Sequence, residues 1–159
     1  MLKWGSTWSI DGSVIAKQID TKMAAPDLFA GGRVDGKARF IMQGNGAKNL
    51  MAGAHLEGNF IIGQGGLSGI DLMHLLQSVG DTGKTGFRQI DGSFVRDGNV
   101  TRIQQIRMDA GILSASGSAE IDATDGLHGR FATTYKFDNQ QTHGNLTLSG
   151  TLKTPRFSR

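Results

Sequence analysis

The chain has 159 residues, a formal charge of +3, 24 glycines, 2 prolines and no cysteine. That length fits one domain with a core of its own, and the lack of cysteine excludes disulfides and thiolate metal sites while leaving the compartment open. Lysines and arginines stand singly among 14 acids, a dispersed charge pattern unlike the basic stripe of a nucleic-acid binder.

Glycine at about twice its usual share of roughly 7%, with so little proline, excludes collagen-like and proline-rich disordered chains. The glycines therefore belong inside regular structure. The first thirty residues contain no apolar run long enough for a signal peptide or a membrane span, and none occurs later, so the chain as it stands is expected to be soluble. Trp4 and Trp8, four apart, would share one face of a strand, where packing is their expected role.

A five-residue unit, apolar, polar, Gly, polar, apolar, then recurs along the chain. It reads Ile10–Val14, Val34–Ala38, Leu56–Phe60, Ile90–Phe94, Ala115–Ala119, Leu127–Phe131 and Leu148–Leu152. In an extended chain successive side chains point to opposite faces, so each unit places its apolar residues and its glycine on one face and its polar pair on the other. Mid-strand glycine weakens a strand and marks bends or close approaches, so repeated glycines on one face predict a sheet curved toward its apolar side. The glycine spacing is irregular, which ranks an antiparallel meander above a stacked parallel β-helix.

Between the strands, Pro26–Phe29 and Ala47–Ala52 are each predicted to make one or two helical turns. Gly63 to Ile70 is glycine-rich and leads into Leu72, Leu75, Leu76 and Val79, which have the i, i+3, i+4, i+7 spacing of an amphipathic helix over about 69–79. The glycine run is read as a strand-to-helix turn. It is not a dinucleotide fingerprint, because Ser68 occupies the third glycine position of that motif. Gly83-Lys84-Thr85 resembles the end of a phosphate-binding loop, but Ser78 stands where the opening glycine is required; a flexible loop is expected. Asp97-Gly98-Asn99, Asp109-Ala110-Gly111 and Asp125-Gly126 are hairpin signals. The tail, with Lys153, Arg156, Phe157 and Arg159, is read as a solvated terminus.

No constellation of side chains nominates a reaction. His55, His74, His128 and His143 lack paired metal-ligand spacing, the acids lie in turns or on polar phases, and no hydroxyl occupies a nucleophile elbow. The expectation is a protein that is not an enzyme and uses no metal, nucleotide or other cofactor. Instead, Phe60, Ile62, Phe94, Leu113, Phe131, Tyr135 and Leu148 all occupy the apolar phase of alternating strands and are predicted to line one continuous apolar surface.

From about residue 47 onward the order of motifs resembles the C-terminal region of the AsmA family of Gram-negative envelope proteins. The resemblance rests on Leu56–Ile62 followed by Gly66–Leu72, on Phe87–Phe94 with Asp97–Val100, on Gly117–Asp122, and on the closing Leu148–Phe157. It implies a single AsmA-like domain over 1–159, cut from a longer protein that is anchored in the inner membrane and faces the periplasm. It further implies a curved antiparallel β groove that binds phospholipid acyl chains, within a protein of phospholipid transport or outer-membrane assembly. The alternative is a structural or protein-assembly module whose apolar face is sealed by the 70–79 helix and a second sheet layer.

Overall fold

A computed structural model describes residues 8–68 and 84–159. The described chain begins with strand β1 (Trp8–Asp20), a single helical turn α1 (Thr21–Ala24) and the short β2 (Phe29–Gly31). Then come β3 (Arg33–Gly44), α2 (Ala47–Ala52), β4 (His55–Ser68), β5 (Lys84–Asp97) and β6 (Val100–Ala110). The last strands are β7 (Leu113–Ile121), β8 (Leu127–Phe137), β9 (Gln140–Gly150) and β10 (Pro155–Ser158). Among the described residues, ten strands form one open antiparallel sheet in the order β1-β3-β4-β5-β6-β7-β8-β9-β10, with β2 added beside β4. The protein is mainly β, consistent with a sheet curved toward its apolar side.

The repeated unit explains the strands. Six of its seven copies lie wholly inside β1, β3, β4, β5, β7 and β8, and the seventh runs off the end of β9. Register then places small residues beside large ones: Gly12 opposite Phe40, Gly58 opposite Phe94, and Phe60 between Gly36 on β3 and Gly92 on β5. A ring lying across a neighbouring glycine shields the backbone that glycine leaves bare, a known device of curved sheets. At Gly12 the fit is close enough that an added Cβ would stand 2.7 Å from Cζ of Phe40.

The three hairpin signals all form turns, with Gly98, Gly111 and Asp125 at positive φ. A fourth hairpin, between β8 and β9, turns through Asp138, also at positive φ. Ala47–Ala52 is helical as predicted. Around Pro26 the regular helix lies earlier than expected, at Thr21–Ala24, capped by the Asp20 carboxylate accepting from the Lys22 amide. Ala25 to Phe29 adds one turn, closed by Phe29 N–H to Ala25 C=O at 3.1 Å, before β2 begins.

Two expectations are corrected. Gly63–Ser68 is not a turn: β4 stays paired with β5 from His55↔Asp97 through Ser68↔Lys84. The glycines are accommodated because ladder bonding uses only backbone groups, which glycine supplies as well as any residue. For the same reason Lys84-Thr85 is the start of β5 and not a loop. The predicted helix at 69–79 lies outside the described residues.

Burial concentrates in a cluster containing Ile62, Leu67, Phe87, Ile90, Met108, Leu113, Ala115 and Leu146, against which Phe60, Phe131 and Phe157 pack. The Phe29 ring meets Phe87 edge-on at 6.3 Å between centroids, and Phe131 tilts against Phe157 at 6.0 Å. Among the described residues no second sheet layer covers this face.

Candidate functional site

The apolar face of the sheet is the feature with the greatest functional content, and its two halves differ. In the β4–β9 region it is closed: Leu113 is 1% exposed and Leu146 2%. Toward β1 the same face opens, with Ile10 43% exposed and Val14 51% exposed, and Trp8 and Ile19 are exposed as well. Strand register proves the continuity, since Gly12 and Val14 face Phe40 and Ala38, Ala38 faces Gly58, and Gly58 faces Phe94.

The seven residues expected to line this surface fall into two groups. Ile62, Leu113 and Leu148 are buried, whereas Phe60, Phe94, Phe131 and Tyr135 are half-buried. Tyr135 pairs with Leu113 across β7–β8, and its ring stacks on the exposed Phe137 at 6.4 Å. Phe131 lies between Gly117 on β7 and Leu146 on β9. Sequence reasoning missed Leu67, Phe87, Met108 and Leu146, which are all buried. Burial switches phase between Ile62 and Leu67 and between Phe87 and Ile90, so a rule of strict alternation drawn from the five-residue units passes over Leu67 and Phe87. Leu146 and Met108 keep the apolar phase, with Leu148 and with Ile106, but lie outside the five-residue units.

The opposite face carries a ladder of charges. Arg102 Nε donates to Glu120 Oε2 at 3.2 Å and its Nη1 lies 4.0 Å from Asp97 Oδ2; Arg107 Nη2 lies 3.1 Å from Asp91 Oδ1. His55 hydrogen-bonds its cross-strand partner Asp97 through Nδ1, and Glu57 Oε2 lies 3.6 Å from its other nitrogen. The Asp97 hydrogen bond, reinforced by the Asp97 and Glu57 charges, raises the His55 pKa above its ordinary 6.5. In the β7–β8 turn, Asp122 accepts from the Thr124 hydroxyl at 2.8 Å, from the Thr124 and Gly126 amides, and from His128 Nε2 at 3.0 Å. Those donors, the Thr124 hydroxyl first, hold its carboxyl well below the usual carboxylate range.

One arrangement on this face approaches a nucleophile and base: Thr134 Oγ1 lies 3.3 Å from His143 Nδ1, and Gln141 Nε2 lies 3.2 Å from His143 Nε2. The third partner is a neutral amide, which cannot stabilise an imidazolium as a carboxylate does. Its geometry is that of ordinary cross-strand polar pairing. Among the described residues no group of three His, Asp or Glu side chains is disposed to hold a metal ion, and no helix is long and apolar enough to cross a membrane.

No family model, curated protein or solved structure matches the chain. The apolar face must therefore speak through its own geometry.

Proposed function

We propose that this chain is a non-enzymatic module of the Gram-negative envelope whose apolar sheet face shelters acyl chains of phospholipid. The observation that carries the reading is the gradient on that face: one surface passes without a break from a closed cluster at Leu113 and Leu146 to half-exposed Ile10 and Val14. A purely structural sheet gains nothing from leaving apolar side chains in water, and contiguous exposed apolar surface is characteristic of a binding site. An acyl chain has no hydrogen-bonding needs, so a face of Gly, Val, Ile and Phe suits it. The resemblance of residues from about 47 onward to AsmA C-terminal regions supports a periplasmic setting, in a longer protein of phospholipid transport or outer-membrane assembly.

The test compares two charges on the same face. Purified chain is extracted with organic solvent and examined by native mass spectrometry, alongside Ile10→Asp and Leu113→Asp. The wild type should retain phospholipid. Ile10→Asp should stay folded, with a melting temperature lowered by no more than a few degrees, and lose the lipid, because an ionised carboxylate is strongly disfavoured beside an acyl chain. Leu113→Asp should unfold. A wild type that never retains lipid, even when purified from membranes and offered phospholipid vesicles, defeats the proposal.

A further inference from the structure

The two edges of the sheet are built differently. β10, at one edge, has 4 residues, begins with Pro155 and carries Arg156. Short length, proline and charge are the devices by which natural sheets block edge-to-edge pairing. β1, at the other edge, has 13 residues and no proline. Its run is unbroken from Trp8 to Ala16, until a bulge at Lys17 and Gln18, where Gln18 takes φ 53° and its amide bonds Asp35 Oδ1 at 2.9 Å. On its outer side this strand offers a row of backbone groups with no ladder partner among the described residues.

The charges on β1 specify what fits there. Between Trp8 and Gln18 it carries only Asp11 and Lys17, both on the polar phase. Partners in an antiparallel ladder point to the same face, so a two-fold pairing of this strand with itself must be centred on a residue. Centred on Val14, it sets each Asp11 opposite the Lys17 of the other copy, Ser13 opposite Ile15, Gly12 opposite Ala16 and Val14 opposite Val14. No other centre pairs these charges with each other, and in-register parallel pairing would set like beside like.

We propose that β1 is the docking edge for a second copy of this chain, added antiparallel about Val14, so that two sheets join with their apolar faces on one side. The interface does not depend on what that face binds. A single strand pair buries little area, so the dimer is a concentration-dependent one.

Sedimentation velocity from about 1 to about 300 µM, a range spanning weak association, should show a monomer–dimer equilibrium. Asp11→Lys and Lys17→Asp should each weaken it by about tenfold or more, since two attractive pairs become two repulsive ones, and the double swap should restore it. Circular dichroism confirms that each variant is folded. The chain has no cysteine, so Val14→Cys supplies an independent reading: on oxidation it should give a disulfide dimer across the two-fold. Ile10→Cys should not, because the two copies of residue 10 would be about 26 Å apart along the strands. A chain that stays monomeric throughout, or a dimer indifferent to both charge swaps, overturns the proposal.

Discussion

Gly117 on β7 and Phe131 on β8 are cross-strand partners, and the ring of one occupies the space where the other would carry a side chain: a Cβ on Gly117 would meet Phe131 Cδ1 at 2.8 Å. The Arg130 carbonyl lies closer still to that position. The backbone itself blocks substitution there, so turning the ring aside does not suffice. Gly117→Ala should therefore destabilise the protein by about 1–3 kcal/mol, the usual cost of overpacking. Gly31, which has nothing within 4 Å of its added Cβ, is the control. Gly31→Ala should be neutral or stabilising by up to about 1 kcal/mol, through the entropy of the unfolded chain. Urea unfolding of the two variants checks both; equal effects would mean that glycine here is a matter of chain entropy and not of fit.

The closed and open halves of the apolar face predict different truncation costs. Leu113→Ala, at a position 1% exposed, should lose about 2–5 kcal/mol, as in other sealed cores. Ile10→Ala, at 43% exposure, should lose about 1 kcal/mol or less, since much of that side chain is already in water. Comparable losses at both sites, measured by denaturant midpoint, would show that the β1 end is covered in solution.

Thr133 on β8 is 2% exposed, and its Oγ1 has no hydrogen-bond partner among the described residues. A buried hydroxyl without a partner costs free energy that a methyl group of similar size does not. Thr133→Val is expected to raise stability by about 1 kcal/mol, visible as a higher urea midpoint at unchanged slope. A lower midpoint would reveal a partner for the hydroxyl in solution.

His55 gives the chain a pH dependence near neutrality. Its folded pKa is raised by Asp97 and then Glu57, so the contribution to stability is fully present below about 6.5, the ordinary value, and disappears as pH rises through the folded pKa. Titration of the His55 ring by NMR should give a midpoint above 6.5, and Asp97→Asn should bring it back toward that value. A midpoint at or below 6.5 in the wild type would remove the Asp97 pair as a feature of the solution structure.

Much of this was legible in the sequence because the repeated unit reports both structure and orientation. Alternation around Gly12, Gly58 and Gly117 gives strands, their apolar face and, with the aspartate–glycine turns, their antiparallel order. The bulges were not legible. Gln105 and Ile106 shift the β5–β6 register and Gln104 and Gln105 the β6–β7 register, with Gln105 at φ 52°, and Lys17 and Gln18 do so between β1 and β3. Glutamine has no special preference for that conformation, so nothing local announces it. The fourth hairpin at Asp138-Asn139 was present as an Asp-Asn pair lacking the glycine that marks the other turns. The glycine run at 63–66 misled because composition suggested a turn where the pairing of β4 with β5 imposed a strand. Exposure along β1 was not legible either, because alternation gives the face a side chain takes and not how much of that face is covered.

The order of strands in the sheet almost repeats their order in the chain. Each long strand thus rests on the long strands that come immediately before and after it in the chain, so every pairing can be made by neighbouring segments. Such a sheet is also open to change by addition. A new hairpin inserted at a turn such as Gly98 or Gly111 need only pair with its two flanking strands, leaving every other register untouched. Lengthening or shortening by two strands at a time would alter the span of the sheet without redesigning it, much as a fence gains panels between standing posts.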